Sequence, residues 1–486
     1  MKKDIKIIGS GFSSLAAACY LALKGHEVTV YEKNATIGGR ARQLKREGFT
    51  FDMGPSWYWM PDVFERFFGD FNKKTSDYYE LIKLSPAYRV YYGIDDFISI
   101  ADNLDEIIQT FESIEKGSGS ILAKFMAEAK SNYDIAIKDL VYRPGVSALE
   151  LITKETALKV GQFFSNISKN VRKKFKNERL IQILEFPVLF LGAKPSDTPS
   201  FYSFMNFADF GMGTWHPKTG MYDVIRGMES LSLELGVSFQ TNATIEKIIV
   251  ENKTAVALQI KGKRINADII LSGADYHHSE TLLDEEHRAY SEKYWASKTF
   301  APSSLLFYVG FNKKIKNITH HALFFDVDFN QHAKDIYDEP KWPDNPLFYA
   351  NFPSITDATA APKGMESGFF LIPLAPGIED TEVLREAYFD KIIDRFEALT
   401  QQNIKNNIIF KESFCKNDFE EVYNSYKGNA YGMANTLMQT AFLRPKLKSK
   451  KVENLYFTGQ LTVPGPGVPP ALISGKLVAE LIEKHI

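Results

Sequence analysis

Three features of this sequence predict an α/β chain that begins with a parallel strand–helix–strand unit. The first is the apolar run 4–9, DIKIIG, set directly ahead of a glycine-bearing turn. The second is the recurrence of Leu15, Ala16, Cys19, Tyr20 and Leu23 at helical spacing behind that turn. The third is the β-branched segment 27–32, EVTVYE, which follows the helix stop at Gly25. A strand, one crossing helix and a second strand imply that the two strands run parallel.

The remaining elements follow in order. Residues 101–190 read as mainly helical and carry several charge clusters. A helix is predicted over 222–235, where Val224, Ile225, Met228, Leu231 and Leu235 share one face and Gly236 closes the end. Short strands come next, SFQT, TIEKIIV, AVALQI and ADIILS, separated by turn signals at Glu251-Asn252-Lys253 and Lys261-Gly262. Further strands are predicted at 303–312, 323–329, 347–352, 369–374 and 408–414, with a helix over 381–400. A terminal helix runs from about Pro469 to Lys484. No internal repeat or low-complexity segment interrupts the chain.

Composition narrows the function classes. The 486 residues hold 58 Lys+Arg against 60 Asp+Glu, a net charge of −2, without the basic excess expected of a nucleic-acid binder. Hydrophobic residues make up 44% and charged residues 24%, which is ordinary globular usage. Two distant cysteines, Cys19 and Cys415, build neither a disulfide framework nor a thiolate metal site, and fit a reducing compartment. The N-terminal segment lacks the apolar stretch of a signal peptide, and no apolar run approaches the roughly 18 residues of a spanning helix. The expectation is a cytoplasmic protein that is soluble or lies peripherally on the inner membrane surface.

The turn after the first strand is Gly9-Ser10-Gly11-Phe12-Ser13-Ser14. Between a strand and a helix, such a string binds a dinucleotide: Gly9 makes the tight turn, Gly11 admits the pyrophosphate to the backbone, and a small third residue packs helix on strand. The third position here is Ser14 rather than Gly or Ala. The helix N-terminus offers free N–H groups and partial positive charge to the phosphates. Glu32, with Lys33 beside it, ends the second strand. Its carboxylate accepts hydrogen bonds from ribose hydroxyls and would repel a 2′-phosphate, which disfavours NADP. Beyond it, Gly38-Gly39 permits a second close backbone approach to phosphate, and Arg40 brings a charged fork to the pyrophosphate.

With Glu32, the segments Ile37-Gly38-Gly39-Arg40 and Phe51-Asp52-Met53-Gly54-Pro55-Ser56 resemble the FAD-dependent amine oxidase and carotenoid desaturase superfamily. The similarity is greatest to phytoene-desaturase-type enzymes, and within them to bacterial 1-hydroxycarotenoid 3,4-desaturases. Four stretches in family order extend it along the chain: Gly54–Trp57 with Met60-Pro61-Asp62, Trp215-His216-Pro217 with Gly220-Met221-Tyr222, Ser272-Gly273-Ala274-Asp275, and Asn454–Gly459 through Ser474-Gly475-Lys476. The resemblance implies a Rossmann-like FAD-binding domain, discontinuous in sequence, beside a mixed α+β substrate domain with a helical membrane-facing region. Residues 1–85, 220–275 and 450–486 would form the FAD domain, and residues 86–219 and 276–449 the substrate domain. It further implies that Gly459, Gln460, Gly467, Val468 and Ala471 line the flavin, with Gln460 standing where many relatives have Asp or Glu. Gly54, Pro55 and Ser56 belong to the same cofactor set. Ile245 would supply a backbone contact to adenine.

Pro469 and Pro470 fall in the first turn of the terminal helix, where proline is tolerated, leaving the N–H of Val468 free to face a ligand. The chain holds 37 Phe, 23 Tyr and 5 Trp, and the walls of an apolar tunnel for a long polyene would draw on them. Phe210 and Trp215 are the candidates to stand near that substrate. Residues 169–179 hold six cations and one acid, following Phe163-Phe164; they read either as a solvated face or as a patch for lipid headgroups. Asp139 and Arg143 are polar candidates better read as a structural ion pair. The adjacent pairs His277-His278 and His320-His321 diverge too strongly to share a metal, and no metal motif is present.

The expected activity is FAD-dependent desaturation of a carotenoid, with hydride and proton removed to extend conjugation. The favoured reaction is 3,4-desaturation beside a 1-hydroxy group. The sequence leaves open a phytoene desaturase, a flavin amine oxidase, a carotenoid saturase or isomerase, and a non-enzymatic prenyl-binding protein, as well as the catalytic residues and the oligomeric state.

Overall fold

In the computed structural model, which describes residues 1–486, two sheets stand on either side of one large cavity. The first sheet has five strands, all parallel, in the order Leu455–Phe457, Ile269–Ser272, Asp4–Ile8, Glu27–Tyr31, Ser238–Gln240. Its central strand, Asp4–Ile8, is buried because neighbours pair with it on both edges and both faces of the sheet are covered, one by helices and the other by a three-stranded sheet. The helix Phe12–Leu23 starts directly behind Gly11 and lies against the terminal helix Val468–Glu483 and the helix Tyr222–Glu234. The strands of this sheet therefore come from three separated stretches of sequence. A three-stranded antiparallel sheet, Lys247–Glu251, Thr254–Ile260 and Lys263–Asn266, lies between two of them in sequence.

The second sheet has seven strands in the order Ile408–Phe414, Ser303–Phe311, Glu366–Leu374, Phe348–Asn351, His321–Phe324, Tyr88–Gly93, Asp96–Ile100. Its strand Ser303–Phe311 divides two cores by simple alternation. Leu306 and Tyr308 face the main core, whereas Leu305, Phe307, Val309 and Phe311 join the core beneath the helix Glu382–Thr400.

Several expectations need correction. The predicted strand 323–329 ends at Phe324; Asp328 then caps a helix, Phe329–Tyr337, by accepting from Asn330 N and Gln331 N. Region 101–190 is mainly helical as expected, with two full helices, Leu104–Ile114 and Ser118–Lys138, followed by helical turns and helices of no more than eight residues. The hairpin Gln43–Arg46 with Phe49–Asp52, the helix Pro61–Gly69 and the strands of 81–100 were not anticipated. No helix is long and apolar enough to cross a membrane.

Candidate functional site

The carboxyl edge of the parallel sheet opens into a cavity of about 820 Å³, near the upper end of the roughly 300–1,000 Å³ typical of ligand sites. At one end Gly9, Gly11, Phe12, Ser13, Glu32, Lys33, Gly38, Gly39, Arg40 and Ile245 line it. Gly54, Pro55, Ser56, Gly459, Gln460, Gly467, Val468 and Ala471 line it further along.

This end fits a dinucleotide. A methyl group built on Gly11 would meet no atom within 4 Å, so its backbone faces open space. Glu32 is held by Ser10 N at 3.1 Å, Ser10 Oγ at 2.6 Å, Asn34 N at 2.9 Å and Asn34 Nδ2 at 2.9 Å. The two backbone donors fix the carboxylate, and ribose hydroxyls can take the place of the two rotatable side-chain donors. Arg40 gives Nη2 to Ser425 Oγ at 2.9 Å and to Asn429 O at 3.3 Å, while its buried Nε has no partner in the chain. Burial lowers the Arg40 pKa, and Asp275 nearby opposes that shift. Gln460 likewise presents a buried, unpartnered Nε2. The N–H of Ile245 makes no backbone hydrogen bond, and Val468 begins the terminal helix with its N–H free. Orphaned donors around an open backbone suit a phosphate-bearing, acceptor-rich group. Lys33 is turned aside: its Nζ donates to Glu421 O at 2.6 Å and Asn424 Oδ1 at 3.1 Å.

Ser14 does not line the cavity. It is buried beneath Gly273, where a Cβ would come within 2.0 Å of Ser14 Oγ, so it packs helix against strand. Phe210 and Trp215 are also corrected. Phe210 is buried in the helical core, edge-to-face with Phe111 at 6.0 Å. Trp215 lies on a short strand paired with Leu81–Lys83, and its Nε1 donates to Met212 O. Neither lines the cavity, because each aromatic side chain fills space between elements of the substrate part instead.

The chamber walls come from residues that sequence reasoning did not single out, though the aromatic-rich segments 185–192 and 322–329 were among its tunnel candidates. Trp57, Trp59, Phe186, Phe190, Leu306, Leu323, Phe325, Tyr349 and Leu371 carry the cavity across one face of the seven-stranded sheet. Trp57 and Trp59 follow the Gly54-Pro55-Ser56 turn directly, which was the available signal. At the far rim stand Leu151, Phe163, Phe164, Leu437 and Met438. Arg143 is on this rim, ion-paired with Asp139 and donating to Glu150 O. Of the six cations in 169–179, Arg172, Lys174 and Arg179 pair with Glu178, Glu128 and Asp96.

A nucleotide cradle joined to an apolar chamber is the arrangement of a flavoprotein oxidoreductase. The chain belongs to the flavin-containing amine oxidoreductase family, whose profile it matches over residues 12–483. Its cofactor is FAD. It is 39% identical to a carotenoid 3,4-desaturase of Haloarcula japonica, covering 100% of this chain and 99% of that one. It is 32% identical to a 4,4′-diapophytoene desaturase (4,4′-diaponeurosporene-forming) of Staphylococcus haemolyticus, covering 99% of each. The fold matches an oxidoreductase of Methanosarcina mazei with a TM-score of 0.64 at 17% identity, over 99% of this chain and 100% of that one.

Proposed function

We propose that the protein is an FAD-dependent carotenoid desaturase that introduces a 3,4 double bond beside a 1-hydroxylated end group. The observation that carries this reading is one continuous cavity, running from orphaned phosphate-type donors to aromatic and aliphatic walls. Full-length similarity to a carotenoid 3,4-desaturase supports the bond position. Similarity to a diapophytoene desaturase favours a second reading, desaturation of a phytoene-like polyene. Residues 1–85, 220–275 and 450–486 would act as the cofactor unit, and residues 86–219 and 276–449 as the substrate unit.

FAD, when bound, supplies the hydride acceptor. Gly9, Gly11, Gly39, Arg40 and Gln460 would hold its phosphates and ribityl chain, and Glu32 its ribose. The walls of Trp57, Phe186, Phe190, Leu306 and Leu371 would keep water from a polyene and align it lengthwise. An apolar substrate gains about 25 cal/mol for each Å² of its surface removed from water by such walls.

A bilayer would deliver this substrate. Beside the far rim, Leu149, Ile152, Leu158, Phe164 and Met438 are exposed, Leu158 by 87% and Phe164 by 80%. The basic helix Ile167–Lys174 adjoins them: Gln162 and Lys174 both bond Glu128. Apolar side chains beside cations, at the open end of an apolar chamber, suit an interfacial membrane site on the cytoplasmic face. Changing Leu158 and Phe164 to Asp should abolish cosedimentation with anionic liposomes; unchanged cosedimentation would refute this site. The reaction is tested by incubating FAD-loaded protein, a quinone-type electron acceptor and liposomes holding a 1-hydroxylated carotenoid. A product two hydrogens lighter, with its polyene band shifted to the red, is expected. Recovery of substrate alone, with phytoene also unchanged, would overturn the reading.

A further inference from the structure

Behind the chamber wall, outside the nucleotide end, three histidines meet in the core. His216, His320 and His321 are 2%, 3% and 0% exposed. The rings of His216 and His320 lie 4.3 Å apart, and those of His320 and His321 4.5 Å apart. Their hydrogen-bonded contact with the cavity runs through Tyr349. Tyr349 lines the cavity, and its hydroxyl lies 2.6 Å from His321 Nδ1 and 2.9 Å from Ser56 Oγ, which also lines the cavity.

Proton counting fixes the direction of this chain. Asn351 Nδ2, a donor, lies 3.3 Å from His321 Nδ1. Nδ1 therefore presents a lone pair, and the neutral ring carries its proton on Nε2. The Tyr349 hydroxyl must then donate to Nδ1, because an unprotonated ring nitrogen can only accept. Ser56 in turn donates to the Tyr349 oxygen. One lone pair of that oxygen remains, with the Trp57 side chain beside it on the cavity wall, and the oxygen is polarised by the acceptor behind it.

We propose that Tyr349 is a catalytic proton acceptor of the desaturation, and that His321 is the positioning residue that receives the proton through it. This inference rests on the desaturase reading. Desaturation removes two hydrogens from adjacent carbons, one with its electron pair to FAD and one as a proton. As the second C–H bond breaks, its electron pair becomes the new π bond and its proton passes to the Tyr349 oxygen. The phenolic proton moves simultaneously to His321 Nδ1, so Tyr349 remains neutral and His321 becomes an imidazolium. Two features suit His321 to this role. Burial beside His216 holds its pKa well below the ordinary value, so it stands neutral before the step. Trp57 stacks on it with ring centres 4.0 Å apart and planes at 9°, and an indole face stabilises a cation. A C–H bond next to a polyene cation is strongly acidic, so a weak base suffices.

The test uses FAD-loaded Tyr349→Phe and His321→Gln variants in carotenoid liposomes, with wild type assayed beside them. Tyr349→Phe should lower the single-turnover rate by about 10²–10⁴-fold. Its FAD affinity and carotenoid Kd should stay within twofold of wild type. Wild type should turn over more slowly in D₂O, and Tyr349→Phe should lose that solvent isotope effect. In the FAD-free protein, the ¹⁵N resonance of His321 Nδ1, assigned by its loss in His321→Gln, should be that of an unprotonated nitrogen. It should shift toward free imidazole in Tyr349→Phe. A Tyr349→Phe enzyme at the wild-type rate, or a protonated Nδ1 in wild type, would overturn the proposal. A wild type inert toward every carotenoid would instead overturn the desaturase reading.

Discussion

Replacing Gly11 with alanine should separate cofactor binding from folding. Gly11 sits at the N-cap of the first helix with φ −72° and ψ 173°, an extended conformation that alanine adopts freely. Its new methyl would meet no protein atom within 4 Å. Two opposing effects act on the apoprotein. Reduced freedom of the unfolded chain stabilises by about 0.4–1 kcal/mol, and alanine's poorer N-capping costs a similar amount. They nearly cancel, so the apoprotein should melt within about 2 °C of wild type. The holoprotein has no such compensation. A methyl carbon about 1.5 Å beyond the α-carbon holds a phosphate away from the helix N-terminus. Losing one charge-assisted hydrogen bond costs about 1.5–3 kcal/mol, which is about a 10- to 150-fold rise in Kd. Titrating apoprotein with FAD and following flavin fluorescence measures this directly. An unchanged Kd, with the melt also unchanged, would refute pyrophosphate approach at this turn.

Further outcomes follow from the same geometry. Gly9→Ala should behave oppositely and destabilise the apoprotein by about 1–2 kcal/mol in denaturant melts, because Gly9 has φ +85° and a Cβ there lies 3.3 Å from Ala274 N. Phe210→Ala should cost about 3–5 kcal/mol of stability while leaving FAD and carotenoid affinity unchanged, since this ring fills core rather than chamber. Asp209 is buried against the Tyr88 hydroxyl, and burial pushes its carboxyl up to about 8. The folded state thus holds a proton that the unfolded chain releases near pH 4, so stability falls as pH rises from about 4 to about 8. Thermal melts of Asp209→Asn between pH 5 and 8 should show a smaller decline than wild type.

The nucleotide end was legible in the sequence because its demands are local. A strand, a glycine turn, a helix and Glu32 stand within 32 residues, and each residue type follows from one backbone requirement. The periodicity of the helices at 222–234 and 382–400 was equally plain, since each buries a continuous stripe. Elements whose partners are remote were harder to read. Tyr88–Gly93 pairs with His321–Phe324, more than 200 residues away, and the strands of the 43–52 hairpin have four residues each, three of them polar in the first. The chamber was legible only as an excess of aromatics. A phenylalanine lining a wall and one filling a core have the same spacing, which is why Phe210 was singled out and Phe186 was not. The Tyr349–His321 chain escaped for a related reason: an adjacent histidine pair gives no sign that His216, over 100 residues earlier, packs against it.

The central claim is that one chamber holds flavin and polyene together. Mixing FAD-loaded protein anaerobically with liposomes containing a 1-hydroxylated carotenoid tests it in a single absorption series. Bleaching of the flavin band, matched one to one by a red-shifted polyene band, is the predicted result. A flavin band that stays unbleached while bound carotenoid remains spectrally unchanged, with 1-hydroxylated carotenoid and phytoene alike, would contradict it.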